Sequence, residues 1–272
     1  MSGTYGLRAA QRLKGKTALI TGASSGIGRA IAYGLAEAAG NEGMNLILAG
    51  RRLDRLNEIK LDLTSKFTNT KILPFKLDMA DYHTIPEKFN ALPISWRENI
   101  SILVNNAGVG HGTDLVGECK QEDIDSMMNT NVFGLISLTQ ILIPQFRKRG
   151  LGDIVNLGSI AGIDPSGTTS IYCASKAAIR AFTDSLRKEI IDSRIRVIQV
   201  HPGAVETEFS QVRFKDKDRA AAVYQGTDPL VAEDIADVVL FALTRRLNTV
   251  IAETTVFSTN QASASHIYRR QL

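Results

Sequence analysis

The chain is predicted to fold as one α/β domain, a doubly wound parallel sheet of seven strands with helices on both faces. Short apolar runs take turns with helical periods along nearly all of its 272 residues. Those runs are continuous rather than alternating, as when both faces of a parallel sheet are covered. A glycine-rich turn joins the first strand to the first helix, where doubly wound sheets bind phosphates.

The strand candidates in order are Thr17–Thr21, Asn45–Gly50, Lys71–Lys76, 101–105, 153–157, 196–201 and 249–252. Helical periods fill 28–38, 53–67, 81–91, Gln121–Arg149, 172–191 and 232–244. No linker, low-complexity tract or repeat interrupts them, so residues 1–272 are read as one domain. Residues 1–15 hold Arg8, Arg12 and Lys14 without an acid. A transit peptide is conceivable, but a helical arm on the domain is favoured, since a strand follows at once and serines are few. Residues 206–227 are polar and charged, and are expected to form a substrate loop. Residues 257–272 have no clear period. They are either a frayed tail or an arm that docks on a sister subunit.

Bulk composition removes several classes of function. The net charge is +4, but basic residues interleave with acids, as in Asp54, Arg55, Glu58, Lys60 and Asp62. A solvated surface, not a nucleic-acid patch, is the expectation. No apolar run approaches the roughly 20 residues of a membrane span, so no membrane partner is expected. Four scattered histidines offer no pair at metal-ligand spacing. Two cysteines, Cys119 and Cys173, form no framework and suggest a reducing, cytoplasmic setting.

Thr21-Gly22-Ala23-Ser24-Ser25-Gly26-Ile27-Gly28 carries the first functional signal. Glycines let the chain turn sharply and let a pyrophosphate reach the helix N-terminus, whose free N–H groups and dipole favour anions. Gly22, Ser24, Ser25, Gly26, Ile27 and Gly28 are the expected contacts. The second strand ends in Gly50-Arg51-Arg52. An acid near this point would hold the ribose 2′-hydroxyl of NAD; arginines accommodate the 2′-phosphate of NADP. A helix start is also where arginines are least welcome without an anion. NADP is therefore expected.

With these residues placed, the chain resembles the short-chain dehydrogenases/reductases. The resemblance rests on TGASSGIG, Asp78, Asn105-Asn106-Ala107-Gly108, Asn131, Ser159, Tyr172-x3-Lys176 and Pro202-Gly203, in order. It implies a single-domain Rossmann fold and oxidoreductase activity. SIAG, SIYCASK, FTDSLRKE, VETEFSQVRF and NTVIAETTVFSTNQAS look more narrowly like NADP-dependent 3-hydroxy acid dehydrogenases, also described as L-allo-threonine or serine dehydrogenases. That narrower likeness implies oxidation of the 3-hydroxyl of a small acid, and a homotetramer.

The chemistry has its own physical reason. Oxidising a secondary alcohol by hydride loss requires its hydroxyl proton to leave as well. A phenol with a free pKa of about 10 is a poor base unless a cation favours the phenolate. Tyr172 and Lys176 are four apart and share a helix face. Ser159, just past a strand, is placed to donate to the substrate oxygen. The resemblance gives Tyr172 and Lys176 the same acid–base and tuning roles, and gives Lys176 the nicotinamide ribose as well. It has Asn131 hold, by its main chain, the water linking Lys176 to solvent. It puts Asn105, Ala107 and Gly108 at the adenine-side ribose and Asp78 at the adenine. Val205 and Thr207, after Pro202 and Gly203, would reach the nicotinamide carboxamide. His201 stands where the family often has Asn; a packed strand end is favoured over a titrating group. Cys173 and Ser175 point away from the Tyr–Lys face.

Arg213 is the substrate candidate, because its fork suits a carboxylate; a solvated charged lid is the competing reading. Phe209, Phe214 and Tyr224 would close that lid. A related NADPH-dependent carbonyl reductase of sugars, diketones or aldehydes is the alternative function. A non-catalytic NADP-sensing protein is the remote one, and the intact Ser159, Tyr172 and Lys176 argue against it.

Overall fold

The computed structural model describes residues 6–270. Residues 1–5 and 271–272 lie outside it, with those parts of the expected arm and tail. Seven strands, β1 (Thr17–Thr21), β2 (Asn45–Gly50), β3 (Lys71–Lys76), β4 (Ile100–Asn105), β5 (Leu151–Leu157), β6 (Arg194–Pro202) and β7 (Glu253–Val256), form one parallel sheet. Their order is β3-β2-β1-β4-β5-β6-β7. The order reverses between β1 and β4, and a crevice opens there at the carboxyl ends of the strands.

The continuous apolar strands feed two cores, one per face. Ala18, Ile20, Leu46 and Leu48 pack with Ile31, Leu35, Leu56, Val239 and Leu243. Leu19, Ile47 and Ala49 face Phe89, Leu142, Phe146, Leu186 and Ile190 on the other side. The covering helices are α1 (Gly26–Ala39), α2 (Leu53–Lys66), α3 (Ile85–Asn90), α4 (Ile94–Arg97), α5 (Gln121–Met128), α6 (Leu135–Arg149), α7 (Ser170–Glu189), α8 (Glu208–Phe214), α9 (Lys217–Ala222) and α10 (Ala232–Leu243). Edge strand β3 carries Pro74 opposite Leu48.

Several expectations need correcting. The last strand is residues 253–256, not 249–252. Thr249 gives its carbonyl to Arg196 at 3.4 Å instead. Glu253, Thr254, Thr255 and Val256 form a half-exposed edge strand, which reads as polar. The period at 81–91 is a 3-10 turn over Tyr82–Thr84 followed by α3. Pro86 sits in the first turn of α3, where its missing N–H costs nothing. The long helix is interrupted by a π-helical stretch, Asn129–Gly134, between α5 and α6. Gln121–Arg149 is also long and apolar enough, by composition, to cross a membrane, contrary to the sequence reading. Half of its most apolar 18-residue window is buried in the protein, and Leu135, Leu138, Leu142 and Phe146 of α6 lie in the core. Residues 206–227 contain α8 and α9 rather than a plain loop. The N-terminal segment Gly6–Leu13 is a 3-10 helix whose Leu13 is buried in the core, and Arg12 donates to the Thr244 carbonyl.

Candidate active site

A cavity of about 480 Å³ lies over the crevice, within the range of small-molecule sites. It runs from Arg51 and Arg52 at one end to Tyr172 and Arg213 at the other. Gly22 turns there with φ +66°, and a Cβ would lie 2.8 Å from Asn106 Nδ2. At Gly28 a Cβ would lie 2.4 Å from the same atom, so α1 packs too closely for any side chain. Asn106 clamps this turn, with Nδ2 donating to the Thr21 and Gly22 carbonyls at 2.9 and 3.3 Å. Ser25 precedes α1 without a capping hydrogen bond, leaving first-turn amides for an anion. Ser24, Ser25, Gly26 and Ile27 line the cavity, as expected.

Arg52 donates to Ser24 Oγ at 3.0 Å and Ser25 Oγ at 2.7 Å. It also pairs with Glu208 at 2.9 Å, and Arg55 holds the same carboxylate at 2.7 Å. Arg51 is exposed at the cavity wall and makes no hydrogen bond or ion pair among the described residues. A glycine cradle, uncapped amides and this arginine group in one long cleft fit a dinucleotide bearing an extra phosphate.

Asn105 is not in the cleft. It is buried beneath it, donating to Thr139 Oγ1 at 3.1 Å and Asn156 Oδ1 at 2.9 Å. Asn106, Ala107 and Gly108 line the cavity instead. Asp78 also lines it, and its Oδ1 accepts from the Ala80 amide at 3.0 Å in a local turn. Asn131 sits where the π-turn widens its helix. Its side chain accepts from Val109 N at 2.8 Å and donates to Val109 O at 2.9 Å and Ser175 Oγ at 3.0 Å. A Cβ on Gly108 would lie 3.4 Å from Lys176 Nζ, so the Asn131-held loop runs directly past that ammonium.

Tyr172 and Lys176 lie one turn apart on α7, with Nζ 5.9 Å from the phenol ring centre. Lys176 donates to the Leu157 carbonyl at 2.9 Å. Burial lowers its pKa to about 8. Burial raises that of Tyr172, opposed by a hydrogen bond from Ser159 and by the charge of Arg213. Lys176 is thus the cation whose position beside the phenol is fixed by the helix, and Arg213 adds a positive influence from the roof. Ser159 Oγ also accepts from the Ala161 amide at 3.1 Å, so this serine caps a turn, and it lines the same cavity as Tyr172. Cys173 is a buried residue packed on Thr169, at 3.3 Å.

The roof is α8 with the C-terminal segment. Thr207 caps α8. Phe209 lies over Tyr172, ring centres 5.6 Å apart. Arg213 lines the cavity and donates through Nε to the Gly112 carbonyl at 3.3 Å. Phe214 turns outward between the guanidinium groups of Arg213 and Arg219 and does not line the cavity. Tyr224 ties the roof down, donating to the Val205 carbonyl at 2.8 Å and meeting Ser210 Oγ at 2.6 Å. Pro202, Gly203, Val205 and Thr207 all line the cavity. The tail is not frayed through Arg270. Gln261 is buried, its Oε1 accepting from Ala204 N at 2.8 Å, and Arg269 donates to the Gln225 carbonyl at 2.7 Å.

Residues 16–218 match the family model for short chain dehydrogenases. The chain belongs to the short-chain dehydrogenase family. It is 49% identical over 261 residues to an NADP-dependent 3-hydroxy acid dehydrogenase of Schizosaccharomyces pombe, covering 96% of this chain and 99% of that one. It is 36% identical to the YdfG 3-hydroxy acid dehydrogenase of Escherichia coli over 83% of this chain and 88% of that protein. A closed serine dehydrogenase complexed with NADP+ superposes with a TM-score of 0.84 at 35% identity, covering 94% of this chain and 100% of that one.

Some residues that shape this short-chain dehydrogenase's cleft were not expected from the sequence: Asn106, Glu208 and Gln261 line it, and Arg55 and Ser175 support it from outside. Asn106 stands beside an identical residue at the strand end, and no local signal separates the two. Arg55 and Glu208 meet across 153 residues, and nothing local marks them. Gln261 lay inside the stretch that carried the resemblance. Ser175 does point away from the cleft, yet it braces Asn131 from below.

Proposed function

We propose that this dehydrogenase oxidises the 3-hydroxyl of small 3-hydroxy acids, of the L-serine, L-allo-threonine or 3-hydroxyisobutyrate type, with NADP. The observation that carries the reading is Arg213. Its guanidinium shares one cavity with Ser159 and Tyr172, and its charge reaches the phenol. Its terminal nitrogens have no hydrogen-bond partner among the described residues, so the fork is available to a carboxylate. A carbonyl reductase of neutral sugars or diketones would have no use for it. The similarity to 3-hydroxy acid and serine dehydrogenases supports the same substrate class.

Within that reading, Arg213 and Gly112 hold the acid end while Phe209 excludes water from the reacting end. Ser159 Oγ donates to the substrate oxygen as charge develops there. Tyr172, as the phenolate that Lys176 favours, takes the hydroxyl proton on Oη and becomes the neutral phenol; Lys176 also holds the nicotinamide ribose. Asn131 keeps the 108–109 loop and Lys176 in register. Arg51 and Arg52 receive the 2′-phosphate; Gly22, Ser24, Ser25, Gly26, Ile27 and Gly28 surround the pyrophosphate. Asp78, Ala107 and Gly108 flank the adenosine half, and Pro202, Gly203, Val205 and Thr207 the nicotinamide half. NADP+, when bound, accepts the hydride and adds a positive charge beside the phenol.

A panel assay tests the proposal, following reduced-nicotinamide absorbance with 3-hydroxy acids and their carboxylate-free analogues, on NADP and on NAD. Preference for acids with NADP is expected; equal turnover of the neutral analogues sinks the substrate class. The family resemblance supports assembly as a homotetramer, and the exposed Phe241, Leu247 and Val250 offer apolar surface for a subunit contact; light scattering checks the subunit number. Two free cysteines support a cytoplasmic setting, checked by imaging a tagged protein.

A further inference from the structure

His201 lies directly behind Ser159 and has no part in the chemistry above. Its side chain is fully buried near the end of β6. Nδ1 is 3.2 Å from the Ser159 carbonyl oxygen, and Nε2 is 3.0 Å from Glu253 Oε1 at the start of β7. Both partners are acceptors. A neutral imidazole carries one proton and satisfies only one of them. The other nitrogen then presents a lone pair to an oxygen; Nε2 makes no hydrogen bond in this arrangement, although Glu253 Oε1 stands 3.0 Å away. An imidazolium carries an N–H for the carbonyl and places positive charge beside the carboxylate. The ring has little freedom to retreat, since a Cβ on Gly158 would lie 2.5 Å from Nδ1.

We propose that His201 is a positioning residue for Ser159, holding the Ser159 carbonyl firmly only while its ring is protonated. The inference rests on the role given to Ser159 in the proposed function. The charged groups around the ring are Glu253 of β7 and Arg180 of α7; the segment after β5 offers only the Ser159 carbonyl. Arg180 binds Glu253 at 2.7 Å and keeps its carboxylate ionised below the usual range. The shared proton therefore resides on His201 and not on Glu253. Burial pushes the His201 pKa below the ordinary imidazole value, against the pull of the Ser159 carbonyl and Glu253. The sign follows. The brace is complete below that lowered pKa and weakens as pH rises through it, when the carboxylate competes with the carbonyl for the one remaining proton.

The experiment combines two variants with two readouts. In His201→Asn the amide donates to the carbonyl at every pH. In Glu253→Gln the competing acceptor becomes a donor, so a neutral ring keeps Nδ1–H on Ser159. The first readout is NMR of the unaltered protein and of Glu253→Gln, following the His201 ring and the Ser159 carbonyl carbon. Expected is a Ser159 shift that titrates with the ring in the unaltered protein and is lost in Glu253→Gln. The second is the pH dependence of kcat. The unaltered protein should lose roughly fivefold through the step, the value of about one net hydrogen bond. The step should be absent from both variants, and His201→Leu should stay low at all pH. Matching melting curves exclude misfolding in the first two variants. A Ser159 carbonyl indifferent to the ring overturns the proposal, as does a kcat step that persists in both variants. A protein that turns over no 3-hydroxy acid defeats the functional reading instead, and the NMR titration still decides this one.

Discussion

Lys176 is buried with one carbonyl as its partner, and a buried ammonium is less stable than one in water. Its proton should leave near pH 8, where solvated lysines hold theirs to about 10.4. Side-chain NMR of the unliganded protein would show this early titration, and a midpoint matching the surface lysines would refute it. Above pH 8 the phenol loses a neighbouring cation, so the Tyr172–Lys176 pair is most strongly coupled below it. Tyr172→Phe should lower kcat by about 10²-fold or more while NADPH fluorescence still reports binding. Near-normal turnover would remove Tyr172 from the acid–base role. At this scale the sequence was readable where spacing alone sets geometry. Tyr172 and Lys176 had to share a face, and the glycines of the turn had to meet a backbone. Asn105 was misplaced because two adjacent asparagines at a strand end look alike. Only the sheet register, with Asn105 opposite Asn156, decides which one turns inward.

One short helix, α8, joins the two ends of the cleft. Glu208 in its first turn reaches the arginines of the phosphate end, Phe209 covers Tyr172, and Arg213 in its last turn faces the substrate end. Removing the charge at its far end should act on acids alone. Arg213→Leu is expected to raise KM for 3-hydroxy acids by about tenfold or more, the worth of a charge-assisted hydrogen bond. Turnover of a carboxylate-free alcohol should hardly change. Equal losses on both substrates would assign Arg213 to holding the roof rather than the acid. Neither α8 nor α9 was visible in the sequence. Their charges mask any apolar period, and the helices form because Thr207 and Asp216 cap them and Tyr224 anchors them. β7 was misread for the converse reason. Its preceding residues are the more apolar ones, yet Thr249 is spent on Arg196.

Across the whole molecule, one buried cation ties the sheet to its last helix. Arg196 pairs with Asp153 at 2.6 Å, Lys16 joins that carboxylate at 3.1 Å, and the guanidinium also donates to the Leu243 carbonyl at 2.9 Å. Asp153→Ala would leave Arg196 buried without its counter-charge and should cost about 3–5 kcal/mol. Urea denaturation would measure it; a loss under about 1 kcal/mol would mean that the carbonyls alone satisfy the guanidinium. The sequence foretold a sheet with both faces covered but not this cluster, which joins three remote segments. The same sheet has two edges, and they are not equivalent. At the two ends of β3, the Lys71 and Leu77 amides donate to the Met44 and Gly50 carbonyls beside it at 3.0 Å, so alternation turns the nitrogen of Pro74 outward. That edge therefore lacks a donor at its middle and makes a poor template for another strand. A single ring thus interrupts the donor row along the β3 edge, whereas the β7 edge, with no proline, keeps its row of amides.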